Sequence, residues 1–160
     1  MRSSLGDVID DALRLHADSY LLSGIELRRE GVGGQRFSSE PHKILQIVVN
    51  LLGNARHAVI ASDRLDKRLI IRVMPPAEGR IRLQIEDNGA GIPVESQARI
   101  FSQGFTSKKD GHGFGLHMSA ITAKGLGGSL SFTSEGAGKG ATFTLELPLR
   151  IEEPQLEAAS

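Results

Sequence analysis

Apolar residues recur along this chain with two different periods, and the change of period divides it into helices and strands. Leu5, Val8, Ile9, Ala12, Leu13 and Leu15 fall at helical spacing, which predicts an amphipathic helix over 5–22. Ile25 to Arg29 alternates and predicts a short strand, broken by Gly31-Val32-Gly33-Gly34. Ser39 reads as an N-cap and Pro41 as a first-turn residue. The helix they open carries Ile44, Val48, Leu51, Leu52, Ala55 and Val59 on one stripe and runs to about Ile60.

The period then drops to two. Leu69, Ile71 and Val73 share one face, and so do Ile81, Leu83 and Ile85, with Arg82, Gln84 and Glu86 opposite. Leu130 and Phe132 follow, then Phe143, Leu145 and Leu147, with Thr142, Thr144 and Glu146 opposite. Such alternation gives each strand one buried and one wetted face. Pro75-Pro76-Ala77-Glu78-Gly79 reads as the turn between the 69–73 and 81–85 strands. Gly115 and Gly125 bracket a further helix, which Gly125 and Gly127-Gly128 end. The pattern predicts an α/β fold, a two-layer sandwich of a mixed, mostly antiparallel sheet covered on one face by about three helices. A doubly wound parallel sheet would show solid apolar runs, and no G-x-G-x-x-G lies between an early strand and its helix.

The 160 residues fit one domain, expected over 1–150, with 151–160 an acidic frayed tail. Nineteen basic and 19 acidic residues cancel, so charge makes no case for a nucleic-acid or anionic-membrane partner. The chain has no cysteine, hence no disulfide framework or thiolate metal site, which fits a reducing cytoplasm. No apolar run reaches the roughly 18 residues of a membrane span. Glycine is over-used, at 19 residues, and many glycines between 89 and 140 alternate with apolar residues. That argues for tight turns and close backbone approach rather than for a linker.

Three places carry candidate chemistry. Asp87 keeps the parity of Ile81, Leu83 and Ile85, so its carboxylate is expected to face the layer between sheet and helices. An inward carboxylate is costly unless satisfied. A purine amino group would satisfy it, and Gly89 and Gly91 would leave space for a flat ring. Asp-Asn-Gly is equally good turn chemistry, and the two readings stand level. Asn50 and Asn54 lie four apart on one helix face near the core. Their amide oxygens suit Mg²⁺ shared with phosphates, although capping or surface amides look the same in a sequence. Finally, Gly111-His112-Gly113-Phe114-Gly115-Leu116 precedes a helix, and glycine-loop N–H groups at a helix N-terminus form an anion site. Lys108, just upstream, is a mobile positive charge for terminal phosphates or a solvated loop lysine. Phe101 and Phe105 anchor a lid or pack as core residues of a long loop, and burial is the expected physical role in both cases.

In this order the motifs resemble the N, G1, F, G2 and G3 boxes of the catalytic and ATP-binding domain of sensor histidine kinases, in the GHKL superfamily. Asn50-Leu51-Leu52-Gly53-Asn54-Ala55 is similar to the N box, and Asp87-Asn88-Gly89-Ala90-Gly91-Ile92 to G1. Residues Ile100 to Lys108 are similar to the F box, Gly111 to Ala120 to G2, and Gly138-Lys139-Gly140-Ala141-Thr142-Phe143 to G3. The likeness covers about residues 5–150 and implies the Bergerat ATP-binding fold with ATP and Mg²⁺ as cofactors. Asp87 is implied to receive the adenine amino group, with Gly89, Gly91 and Ile92 beside the nucleotide. Asn54 is implied to ligate Mg²⁺, and Asn50 to support or join it as part of the catalytic set with Lys108. Lys108 and the backbone of Gly111, His112, Gly113, Phe114, Gly115 and Leu116 are implied to hold the phosphates. Phe105 and Thr106 join the implied nucleotide contacts, within an ATP lid over about 94–112.

Departures from the family pattern refine the expectation. Such kinases carry the phosphoacceptor histidine in a separate helical dimerisation domain, beside an acidic residue. None of His16, His42, His57, His112 and His117 precedes Asp or Glu, so the isolated chain is not expected to autophosphorylate. Ala141 replaces the Ser or Thr that often follows the G3 glycines, leaving Thr142 as the substitute for that hydrogen bond. Gly104 stands where some members have a second Phe, which loosens the lid. ATP-hydrolysing relatives place a Glu one turn before the metal-binding Asn. Here that position is Asn50, and a neutral amide cannot accept a proton from water. The implied function is phosphoryl transfer from Mg-ATP to a histidine on a dimerisation domain absent from this chain, with a response regulator downstream. The domain is expected to be cytoplasmic, without nucleic-acid or membrane contact, whether or not its parent is membrane-bound. A GHKL ATPase, a serine protein kinase and a non-catalytic nucleotide sensor are the competing readings.

Overall fold

The computed structural model describes residues 4–22, 24–31, 41–102 and 114–148. Ser4 opens the first helix by reciprocal capping. The Asp7 N–H donates to Ser4 Oγ at 3.2 Å and the Ser4 N–H to Asp7 Oδ2 at 3.1 Å. The elements are α1 (Leu5–Leu22), β1 (Glu26–Glu30), α2 (Pro41–Ile60), β2 (Arg68–Val73), β3 (Arg80–Asp87), a 3₁₀ segment (Val94–Arg99), α3 (Phe114–Gly125), β4 (Ser129–Thr133) and β5 (Ala141–Pro148). The proposed cap Ser39 and the tail over 151–160 lie outside the described residues.

The five strands form one sheet in the order β1-β2-β3-β5-β4. β1 runs parallel to β2, and the other three pairings are antiparallel. The sheet is therefore mixed and mostly antiparallel, as the alternation predicts. β2 and β3 are joined by a tight hairpin in which Ala77 and Arg80 exchange N–H···O bonds at 3.0 Å. Its two central residues, Glu78 and Gly79, have φ of 56° and 73°, the mirror-image turn that matches strand twist.

Among the described residues, three helices cover one face. α2 lies over β2 and β3, burying Ile44, Ile47, Val48, Leu51, Leu52, Ala55 and Val59. From below, Leu69, Ile71, Leu83, Ile85 and Leu145 meet them, all fully buried. Burying each such side chain favours folding by about 1.5–3 kcal/mol before entropy is counted, so this layer holds α2 at a fixed height above the sheet. α1 buries Leu5, Val8, Ile9 and Ala12 alongside α2. Leu15, read as part of that stripe, is 68% exposed, because it sits on the stripe's flank. α3 packs on α2 and β4. Among the described residues no helix is long and apolar enough to cross a membrane.

The sheet's other face is charged. Arg72 reaches Glu30 at 2.9 Å and Glu86 at 3.1 Å, and Arg82 reaches Glu146 at 3.4 Å.

Candidate nucleotide site

β3 delivers Asp87. Burial alternates along the whole strand, and the alternation carries the carboxylate to the helix-covered side, where only 5% of the residue is exposed. Burial pushes its pKa up to about 6. The backbone N–H groups of Gly89 and Ala141 pull the other way, the former bonding Oδ1 at 2.8 Å, and the neighbouring Glu86 charge adds to the rise. The group remains mostly ionised at neutral pH and has acceptor capacity left over.

Gly89 and Gly91 do something different from leaving room for a ring. A Cβ on Gly89 would lie 2.5 Å from the Ala58 backbone of α2, and one on Gly91 2.1 Å from the Gly136 carbonyl. Gly140 is likewise pressed on the Asp87 carbonyl, where a Cβ would come within 2.3 Å. The space beside these glycines is filled by protein backbone. Their job is to let three chain segments meet: the Ala90 N–H bonds Ala58 O at 2.9 Å, the Gly140 N–H bonds Gly89 O at 3.2 Å, and the Gly138 N–H bonds Ala90 O at 2.5 Å. The loop after β3 is thereby stitched both to the end of α2 and to the β4–β5 loop.

Residues without a sequence signal complete the joint. Ser134 Oγ accepts from the Ile92 N–H at 3.1 Å and donates to Gly140 O at 2.7 Å. Gln97 Nε2 donates to Ile92 O at 2.9 Å and to Ser134 O at 3.2 Å. Asn88 bonds the start of β2: its Oδ1 accepts from the Arg68 N–H at 2.8 Å and its Nδ2 donates to Asp66 O at 2.7 Å. Ile92 packs against the core.

Thr142 does not reach Asp87. It pairs in register with Glu86 and Thr133, while Ala141 pairs with Asp87. Alternation then places Thr142 on the uncovered face, so its hydroxyl cannot replace the one missing at Ala141. The walls of a polar cavity of about 390 Å³ include Glu86, Asp87, Thr133, Lys139, Gly140 and Thr142.

Asn50 flanks α3. Asn50 Nδ2 donates to Ser119 Oγ at 3.1 Å, and Asn50 Cγ lies 3.8 Å from where a Gly115 Cβ would stand. The Asn54 amide, one turn further along α2, has no hydrogen-bond partner among the described residues. No group of three His or carboxylate side chains among those residues is placed to hold a metal ion. An ion here would take amide oxygens from α2 and its remaining ligands from phosphate and water, which suits Mg²⁺. Gly115 and Leu116 lie in the first turn of α3, with Leu116 packed on the core. Phe105, Thr106, Lys108, Gly111, His112 and Gly113 lie outside the described residues, as does the side chain of Phe114. Phe101 packs edge-on against Phe132 and Phe143, at centroid distances of 5.8 and 6.4 Å. His117 Nδ1 sits 3.0 Å from Phe101 O, which requires the proton on Nδ1 and ties α3 to the segment it follows.

Comparison with known proteins agrees with this geometry. Residues 39–151 match the family described as histidine kinase-, DNA gyrase B-, and HSP90-like ATPase. The two-component sensor PprA of Pseudomonas aeruginosa is 38% identical over 108 residues, 65% of this chain but 12% of that protein. The chain thus spans a small part of that relative's length. A nucleotide-free catalytic domain of histidine kinase ThkA superposes with a TM-score of 0.80 at 23% identity, covering 92% of this chain and 94% of that one. Full-length ShkA in complex with AMPPNP superposes at 0.78 and 24% identity, over 99% of this chain and 33% of its own. These two show the fold. The chain belongs to the histidine kinase-, DNA gyrase B- and HSP90-like ATPase family, as an ATP-binding domain of the histidine kinase type.

Proposed function

We propose that the domain binds Mg-ATP and donates the γ-phosphoryl group to a histidine imidazole on a dimerisation domain outside this chain, within two-component signalling that ends at a response regulator. The observation that carries this reading is Asp87: a buried, mostly ionised carboxylate at the end of β3, open to one more donor. The adenine amino group is such a donor. Asn54 would present its amide oxygen to Mg²⁺, and Gly115 and Leu116 lie at an α3 N-terminus whose dipole favours phosphate. Lys108, with the backbone of Gly111, His112 and Gly113, would hold the terminal phosphates, and Phe105 and Thr106 would close over them. Bound Mg-ATP supplies the phosphoryl group and the charge neutralisation that transfer needs. The protein's share is positioning, and Asn50, which cannot act as a base, favours transfer over hydrolysis. Such a domain works in the cytoplasm, where ATP is available.

Calorimetric titration of a non-hydrolysable ATP analogue with Mg²⁺, on wild type and Asp87→Asn, tests the reading. The variant offers a donor where only an acceptor fits. A mismatched buried polar contact costs about 1–3 kcal/mol, so the preference for ATP over GTP should fall roughly tenfold to more than a hundredfold. An unchanged preference would sink the assignment. A histidine-bearing dimerisation domain supplied in trans would then test phosphoryl transfer directly.

A further inference from the structure

Ser119 is one of two polar residues in the buried set, 2% exposed in the middle of α3, and the reading above gives it no role. Its hydroxyl oxygen is the acceptor for Asn50 Nδ2 at 3.1 Å. One turn earlier on the same helix, Gly115 leaves room for a methyl group beside Asn50, whose Cγ lies 3.8 Å from where a Gly115 Cβ would stand. The Asn50 side chain is tied to α3 by the hydrogen bond it donates to Ser119. With the nitrogen on Ser119, Asn50 Oδ1 has no hydrogen-bond partner among the described residues.

We propose that Ser119 is a positioning residue for the metal-nucleotide site: the hydrogen bond it accepts holds the Asn50 side chain in one place beside α3, where the phosphates are expected. This rests on the Mg-ATP reading and deepens it. Without the hydroxyl, the Asn50 side chain loses its anchor on α3 and is free to leave that place. The buried serine thus acts through Asn50, as groups behind a metal ligand do when they set its orientation.

The test uses this chain with Ser119→Ala and Ser119→Thr. Affinity for a non-hydrolysable ATP analogue is measured by calorimetry, once with Mg²⁺ and once with chelator. In wild type, Mg²⁺ should strengthen binding. In Ser119→Ala that strengthening should shrink roughly tenfold, with affinity in chelator unchanged, and Ser119→Thr should restore it. A purely structural role would weaken both conditions alike. Equal Mg²⁺ strengthening in wild type and Ser119→Ala overturns the inference while leaving the nucleotide site intact. Absence of any nucleotide binding by folded wild type overturns the function itself. Should Ser119→Ala fail to fold, the wild-type Asn50 side-chain amide, followed by NMR, decides: protected from exchange supports the grip, exchange as fast as an exposed amide refutes it.

Discussion

Glu86 and Asp87 are adjacent on β3, yet they meet opposite worlds. Glu86 stands on the uncovered face, paired with Arg72 in a lattice that also takes in Glu30. Asp87 stands on the covered face among leucines and isoleucines, held only by backbone N–H groups. A charge on the open face is neutralised by its neighbours and has nothing further to do. The charge on the covered face lacks a cationic partner among the described residues and keeps its desolvation cost. On the proposed Mg-ATP reading, the difference separates a solubility device from a recognition device using the same functional group.

The seam between the two faces is where the comparison breaks most violently. Gly140→Ala drives a Cβ into the Asp87 carbonyl at a residue whose φ is 72°, and should cost about 3 kcal/mol or more in urea unfolding. Gly115→Ala, whose Cβ finds Asn50 at an ordinary 3.8 Å, is the control and should shift stability by less than about 1 kcal/mol.

Next in size is the buried charge. The folded state holds the Asp87 proton more tightly than the unfolded chain does, with a pKa near 6 against 3.8. Raising the pH through that window therefore removes stability, by about 3 kcal/mol in all, and the loss is complete above pH 6. Unfolding curves across pH 3.5–7.5 should show this slope in wild type and lose it in Asp87→Asn. The same titration should weaken adenine binding below pH 6, since a protonated carboxyl turns a donor toward the amino group.

The open face should answer least. Arg72→Gln removes a side chain that is 28% exposed and bonded to half-exposed partners, and should cost about 0.5–1 kcal/mol, less in high salt. A loss several times larger would mean that the lattice on this face carries structure.

How much of this was legible beforehand depends on whether a residue's partner is local. The inward aim of Asp87 follows from Ile81, Leu83 and Ile85, because period-two geometry is a property of the strand alone. The α2 stripe and the 75–79 turn were readable for the same reason. Thr142 was readable too: the alternation that sends Phe143 inward sends Thr142 outward, and the family likeness had suggested otherwise. Partners distant in sequence left no mark. Nothing near Gly89 announces Ala58, nothing near Ile92 announces Ser134, and Ser119 looks like any serine in a helix until α2 is laid beside it. The parallel pairing of β1 with β2 was equally silent, since five residues carry no sign of strand direction.

The bond from the Ala90 N–H to Ala58 O has a consequence for the gauge of the whole pocket. It fixes one end of α2 to the loop that follows Asp87, and Asn54 and Asn50 lie one and two turns back from that anchor. The helix is thus a ruler, with the Asp87 loop at its zero mark and the amides at set graduations of about 5.4 Å. Inserting a single residue between Asn54 and Ala58 would turn both amides by about 100° without touching any group in the pocket. Indels there should be far less tolerable than substitutions, since the spacing is the measurement.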